Sequence, residues 1–239
     1  TNSYGAKMNA WLIANADTSL KKYSRHKVQP TYNADFADAA NPDYEVSSYA
    51  APTGVSALWP AYTDASGRVW NGTVFGDVGG QDKITAENFT AQLGADGSIT
   101  LGVANNRGKI AGSSDGIMMY YVQLPAGTTF KLSATATVNS MAANNQVSFG
   151  LMARDDLYID TYVAETMGDY VAAGTRNQGA FAGFGRKSGE LYNAPAATQV
   201  YAAGDTLKLE IVGSADGYTV TYGDNAPASA GFDYPLTAV

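Results

Sequence analysis

Side chains that carry out acid–base catalysis are few in this chain and are not paired. Glycoside hydrolysis requires two carboxylates that face each other across a cleft, and no Glu-x-Asp-x-Glu pattern or near equivalent occurs in the sequence. The single histidine, His26, lies among the cations Lys21, Lys22, Arg25 and Lys27. Such a basic patch is typical of a solvated surface. The alternative is that it binds an acidic polysaccharide. The sequence therefore predicts that the chain is not an enzyme.

Aromatic residues indicate a different chemistry, because sugar binding needs only exposed rings on which a sugar stacks and nearby polar groups for its hydroxyls. Trp59 and Tyr62 are the strongest candidates, since Pro60 fixes the backbone between them. Trp70 stands at the start of a predicted strand, where core packing is the expected role. The remaining candidates are Trp11, Tyr23, His26, Tyr32 and Tyr120.

The run Met118-Met119-Tyr120-Tyr121 must place one tyrosine on each face of its strand. If Ile117 packs inward, Met119 and Tyr121 follow it inward and Tyr120 faces outward. Periodicity alone leaves both orientations open.

An acidic cluster at Asp155, Asp156 and Asp160 suggests a structural calcium site, because calcium prefers several oxygen ligands. Asp169 is a possible fourth member, and Asp77 with Asp82 is an alternative location. The spacing is not that of an EF-hand. In the competing interpretation Arg154 pairs with one aspartate while the other aspartates cap turns.

The elements that must position these residues are β-strands. In Phe130–Val138 apolar and polar residues alternate, and Val147, Phe149, Leu151 and Ala153 continue the pattern after a turn-rich stretch. Asp-Gly pairs predict two hairpin turns, at 94–97 and at 215–217. Further strands are predicted at 68–75, 117–124, 170–174 and 180–185.

This pattern predicts an all-β fold, a two-sheet antiparallel jelly-roll-like sandwich over residues 67–239. Residues 1–66 lack regular alternation and are expected to form an irregular, partly helical extension packed on the sandwich. Met8, Leu12 and Ala16 share one face of the possible helix at 6–20. The chain has no cysteine, so packing and perhaps ions must hold the fold.

Four motifs resemble a known family: Gly108-Lys109-Ile110, Asp115-Gly116-Ile117, Asn145–Gly150 and Arg154-Asp155. Over about residues 70–220 the chain is similar to the accessory β-sandwich modules appended to bacterial pectate lyases and other secreted polysaccharide-degrading enzymes. The resemblance implies a concanavalin-like sandwich with a non-catalytic, carbohydrate-directed role. Two departures are expected: the first 66 residues lie outside the usual module, and such modules add a strand beyond Val239.

The predicted function is a carbohydrate-binding module of a secreted or cell-surface bacterial protein with several modules. A net charge of −7 disfavours nucleic acid, and no apolar run approaches the ~20 residues of a membrane span. Charge favours a neutral, starch-like glucan as the ligand, whereas the resemblance favours pectin. An adhesive or spacer module without a glycan ligand and a lyase or hydrolase remain as alternatives.

Overall fold

The structure is a computed structural model that divides into two compact units, unit 1 (Thr1–Gln123 with Leu157–Met167) and unit 2 (Leu124–Asp156 with Gly168–Val239). It describes residues 60–76, 84–110, 115–122, 124–125, 128–142, 147–154, 169–176, 181, 183–188, 190–229 and 232–233. The expected boundary at residue 66 stays a prediction.

Unit 1 contains six of the described strands, all paired antiparallel. They are β1 (Tyr62–Thr63), β2 (Val69–Gly76), β3 (Phe89–Leu93), β4 (Ile99–Val103), β5 (Lys109–Ile110) and β6 (Asp115–Tyr121). Four of them form a sheet in the order β1-β2-β6-β5, and β3 pairs with β4 in a separate hairpin. Val74 and Met118 of the sheet pack with Ile84 and Phe89 in a small apolar core.

The β3–β4 hairpin confirms the first predicted turn. Gly97 has a φ of +81°, a conformation that glycine adopts without steric cost. The Asp96 carboxylate accepts hydrogen bonds from the Ser98 hydroxyl (2.6 Å) and the Ser98 N–H (3.0 Å). These bonds lower the pKa of Asp96 and keep the turn closed.

Unit 2 contains the other seven described strands in two antiparallel sheets. They are β7 (Phe130–Thr137), β8 (Phe149–Arg154), β9 (Tyr170–Thr175), β10 (Gly183–Lys187), β11 (Glu190–Asn193), β12 (Thr206–Ser214) and β13 (Gly217–Tyr222). One sheet has the order β11-β10-β9-β8 and the other the order β13-β12-β7. Ala153, Val171 and Ala173 of the first sheet pack against Ile211 and Val220 of the second, which makes unit 2 a two-layer sandwich.

Strand β7 shows why the alternation in the sequence is informative. Its residues alternate between half-buried and exposed, and they pair with β12 from Phe130 opposite Gly213 to Thr137 opposite Thr206. Strand β8 belongs to the other sheet and pairs with β9, and its residues become more buried toward Arg154. The turn-rich stretch between β7 and β8 therefore connects the two layers, and both apolar faces contribute to one core.

Strand β9 differs from the others because all six of its residues are buried, on both faces of its sheet. Tyr170 lies between Arg154 on β8 and Arg186 on β10 in the strand register. The guanidinium carbons of these two arginines lie 5.7 Å and 4.9 Å from the centre of the Tyr170 ring. Cation–π attraction of this kind helps to retain buried positive charge.

The prediction of an all-β fold of antiparallel sheets is confirmed. The described part of the chain has no helix, and so none that is long and apolar enough to span a membrane. The second predicted hairpin is also confirmed, with Ile211 opposite Val220 and Leu209 opposite Tyr222. Short strands β1, β5 and β11 were not predicted, and the strand expected at 180–185 begins at Gly183. The proposed helix at 6–20 and the rest of 1–59 lie outside the described residues.

Candidate functional site

The loop between β1 and β2 is organised by one carboxylate. Asp64 Oδ1 accepts hydrogen bonds from the Ser66 hydroxyl (2.6 Å), the Ser66 N–H (2.9 Å) and the Arg68 N–H (3.0 Å). The backbone closes the same loop, since Asp64 N–H donates to the Arg68 carbonyl and Gly67 N–H donates to the Asp64 carbonyl. Gly67 has a φ of +83°, which favours glycine at this position.

Asp64 also fixes the orientation of an aromatic ring. Its second oxygen, Oδ2, accepts a hydrogen bond of 2.9 Å from the indole Nε1–H of Trp70. Trp70 is half-buried, and it lies directly opposite Tyr62 in the β1–β2 pair. Because the indole N–H bond restrains the ring, Trp70 is preorganised before any ligand arrives.

A third ring lies on the same sheet face. Trp70, Gly72 and Val74 alternate along β2 and share one face. Tyr120 on β6 is directly opposite Gly72 and is half-buried. We call Tyr62, Trp70 and Tyr120 the aromatic face. Gly72 contributes no side chain to it, and its backbone is buried.

Tyr120 is held at its hydroxyl end. The hydroxyl donates a hydrogen bond of 2.8 Å to the Pro60 carbonyl, and burial raises the pKa of this phenol. The Tyr62 hydroxyl lies 3.9 Å from the position that a Cβ atom on Gly97 would take, next to the β3–β4 turn. The aromatic face is thus in contact with two turns of unit 1, the β1–β2 loop through Asp64 and the β3–β4 turn through Gly97.

The apolar core of unit 1 continues the same face. Val74 is fully buried and Met118, opposite it on β6, packs with Ile84 and Phe89. Met118 and Tyr120 therefore lie on the core-facing side of β6. Ile117, Met119 and Tyr121 lie on its other side. Tyr120 lies at the border between the core and the half-exposed end of the sheet.

The hydrogen bonds to Asp64 also affect its acidity. The four hydrogen bonds donated to the Asp64 carboxylate, with the Ser66 hydroxyl first, hold its pKa well below the usual range. A carboxylate with so low a pKa is a weak general base at neutral pH. The exposed side chain of Arg68 provides a cation in the same loop.

The structure brings together two of the predicted ligand-binding residues, Tyr62 and Tyr120. It adds Trp70, which was expected in the core, and Asp64, which sequence reasoning missed. The Asp-x-Ser-Gly sequence between two aromatic residues was the available signal for this turn. Other predicted residues lie outside the described residues and stay predictions: Trp11, Tyr23, His26, Tyr32 and Trp59.

The predicted calcium ligands Asp155, Asp156 and Asp160 also lie outside the described residues, as do Asp77 and Asp82. Asp169 is described, and its Oδ1 accepts a hydrogen bond of 2.7 Å from the Ser188 N–H. The described stretches contain no group of three or more acidic, histidine or cysteine residues that could hold a metal ion. A calcium site at 155–160 stays a prediction.

Part of this chain is similar in sequence to known proteins. The family model described as the pectate disaccharide-lyase N-terminal domain matches residues 68–162, which include Trp70 and Tyr120. Pectate lyase L of Thermoclostridium stercorarium is 31% identical over 153 residues, or 64% of this chain and 12% of that protein. Pectate disaccharide-lyase of Dickeya chrysanthemi is 32% identical over 110 residues, 37% of this chain and 15% of that protein.

No solved structure matches the chain significantly. The chain spans 12% and 15% of the length of these two curated relatives, so the similarity concerns one part of much longer proteins. These matches support the interpretation that the chain is a module associated with pectate lyases.

Proposed function

We propose that this chain is a non-catalytic module that binds pectic polysaccharide, and that the aromatic face is its binding surface. The observation that supports this proposal best is the alignment of three half-buried rings on one sheet face, one of them restrained by Asp64. The host protein is proposed to be an extracellular pectin-degrading protein with several modules, in agreement with the names of the relatives.

The chemistry of the rings suits a sugar chain. The C–H faces of sugar rings are apolar and stack on aromatic side chains, while their hydroxyl groups need hydrogen-bond partners nearby. An open surface of this kind buries little area, so we expect modest affinity and rapid exchange.

Pectin is preferred over starch because the names of both relatives refer to pectate. Arg68 offers one exposed cation beside Trp70 for a uronate carboxylate, and the basic patch at 21–27 is a further candidate. The overall charge of −7 opposes an anionic polymer. We therefore expect binding that weakens as salt screens the local attraction of Arg68.

A non-catalytic role is proposed because Asp64, the carboxylate that is hydrogen-bonded to Trp70, is committed to four hydrogen bonds and has a depressed pKa. It is suited to orienting Trp70 and not to removing a proton from a sugar carbon.

Affinity electrophoresis of the full chain in gels with polygalacturonate, pectin or starch tests the proposal. Polygalacturonate and pectin should retard the wild type, and Trp70→Ala should weaken retardation about five- to tenfold, the value of one lost stacking contact. Val69→Thr is the matched control, because Val69 is the adjacent residue, is 52% exposed and lies on the opposite sheet face. It should bind as the wild type does.

Three outcomes would contradict the proposal. Absence of retardation by every polymer would favour the spacer alternative, and retardation by starch alone would refute the pectic ligand. Release of unsaturated uronides from polygalacturonate by the purified chain would show that it is a lyase. Circular dichroism of Trp70→Ala separates lost binding from lost folding.

A further inference from the structure

A groove of about 640 Å³ lies in unit 2, within the roughly 300–1,000 Å³ typical of small-ligand sites. It is formed by the β10–β11 hairpin, by the residues that follow β11 and by the C-terminal segment at 232–233. The residues that line it include Lys187, Glu190, Tyr192 and Asp233.

The strand register explains why these residues meet. Lys187 is opposite Glu190 and Gly185 is opposite Tyr192, so the four positions share one face of the hairpin. Tyr192 packs against the sandwich core. Because β11 is an outer strand of its sheet, the groove lies where the core-facing surface reaches the edge of the sandwich.

An aromatic ring held from two sides lines the groove. The Tyr192 ring centre is 5.0 Å from that of Phe232, with an angle of 56° between the rings, and Phe232 is fully buried. The Tyr192 hydroxyl occupies the space above Gly185, where a Cβ atom would collide with it. This ring is therefore fixed, and it is half-buried at the groove.

Exposed polar groups of mixed charge surround the ring. Lys187 Nζ is 3.5 Å from Asp233 Oδ1, so the cation of the groove already has a carboxylate beside it. Glu190 adds a second carboxylate, which is exposed. With one cation and two carboxylates, the groove repels an anionic sugar, whereas its carboxylate oxygens accept hydrogen bonds from neutral hydroxyl groups.

We propose that this groove is a second carbohydrate site, specific for a neutral oligosaccharide. A neutral sugar ring stacks on Tyr192, and neighbouring hydroxyl groups donate to the Glu190 and Asp233 carboxylates. The site belongs to a different unit from the aromatic face and lies beyond residues 68–162, so it stands independently of the pectic ligand proposed above.

Amide chemical-shift mapping of the full ¹⁵N-labelled chain tests this proposal with three probes: galactotetraose, arabinotetraose and tetragalacturonate. At least one neutral probe should shift the amides at 187–195 in a saturable manner, and tetragalacturonate should not. The Trp70→Ala variant should show the same neutral-sugar titration, which separates this site from the aromatic face.

Variants of exposed residues test the hydrogen bonds without disturbing the core. Glu190→Ala should weaken neutral-sugar binding about three- to tenfold, because it removes a hydrogen-bond partner. Glu190→Gln should stay within about twofold, since the amide oxygen still accepts a hydroxyl proton. Val200→Ala, at a residue 56% exposed and not among those that line the groove, is the matched control.

The proposal is overturned if neither neutral probe shifts the amides at 187–195, or if only tetragalacturonate does. It is also overturned if Glu190→Gln abolishes binding as fully as Glu190→Ala, because that result would require a charge and not a hydrogen-bond acceptor.

Discussion

Asn225 connects two loops of unit 2, and its removal should destabilise the sandwich strongly. Its side chain is 5% exposed. Oδ1 accepts hydrogen bonds from the Thr198 N–H (2.6 Å), the Thr198 hydroxyl (2.9 Å) and the Gln199 N–H (3.0 Å). Nδ2 donates to the Gln199 carbonyl (3.1 Å) and the Tyr222 carbonyl (2.8 Å). The segment at 198–199 thus depends on this amide for its attachment to the end of β13.

The Asn225→Ala variant removes five hydrogen bonds and leaves four backbone groups without this partner. A buried polar group left unsatisfied costs about 1–3 kcal/mol. Because water reaches part of this half-buried loop, we expect a loss of about 3 kcal/mol in the free energy of unfolding. For a cooperative unit of this size that loss corresponds to a decrease in Tm of roughly 10 °C.

Urea unfolding followed by circular dichroism measures this loss, with an unchanged m-value as evidence that the unfolded state is unaltered. Thr198→Val is the graded control, since it removes only the hydroxyl bond and should cost about 1 kcal/mol. Asn225→Asp keeps the acceptor but places a carboxylate against two carbonyl oxygens, and it should be as harmful as the alanine variant. An Asn225→Ala variant that is no less stable than Thr198→Val would contradict the proposed contribution of the Asn225 hydrogen bonds to stability.

Three further outcomes are expected. Asp64→Asn should weaken pectin retardation and shift the indole ¹⁵N–H signal of Trp70, because an amide N–H₂ at Oδ2 cannot accept the indole proton; an unchanged signal would contradict the assigned bond. Burial raises the pKa values of Tyr201 and Tyr222 in the folded protein. The contribution of these phenols to the free energy of unfolding is therefore complete below about pH 10, and it is lost as the pH rises further. Alkaline unfolding that coincides with phenolate absorbance would show it, whereas phenolate formation in the folded protein near pH 10 would refute it. The pKa of Glu210 is lowered, chiefly because its carboxylate accepts a hydrogen bond from Lys131 of β7. Glu210→Gln should therefore reduce stability slightly above about pH 5 and not at pH 3. High salt should remove this difference in stability between the variant and the wild type.

The long strands could be predicted from sequence because each buries one face. Residues 130–137 and 206–214 alternate without interruption, and the pairs of these strands follow from that pattern and from an Asp-Gly turn. Strands β1 and β11 could not be predicted in this way, since two or four residues are too few to show a period. The β1–β2 loop has the same backbone hydrogen bonds as the predicted β3–β4 loop, but only the latter joins two strands long enough to be recognised.

Both candidate sites occur where a core-facing sheet surface continues beyond its apolar core. In unit 1 the face that buries Val74 continues to Trp70, and in unit 2 the face that buries Val171 continues to Tyr192. Alternation assigns all four residues to the inner face and does not show which of them remain partly open to ligand. For that reason Trp70 was expected in the core. Both aromatic residues proposed as sugar platforms, Trp70 and Tyr192, therefore lie on inner faces that alternation identifies, at positions whose partial exposure alternation does not identify.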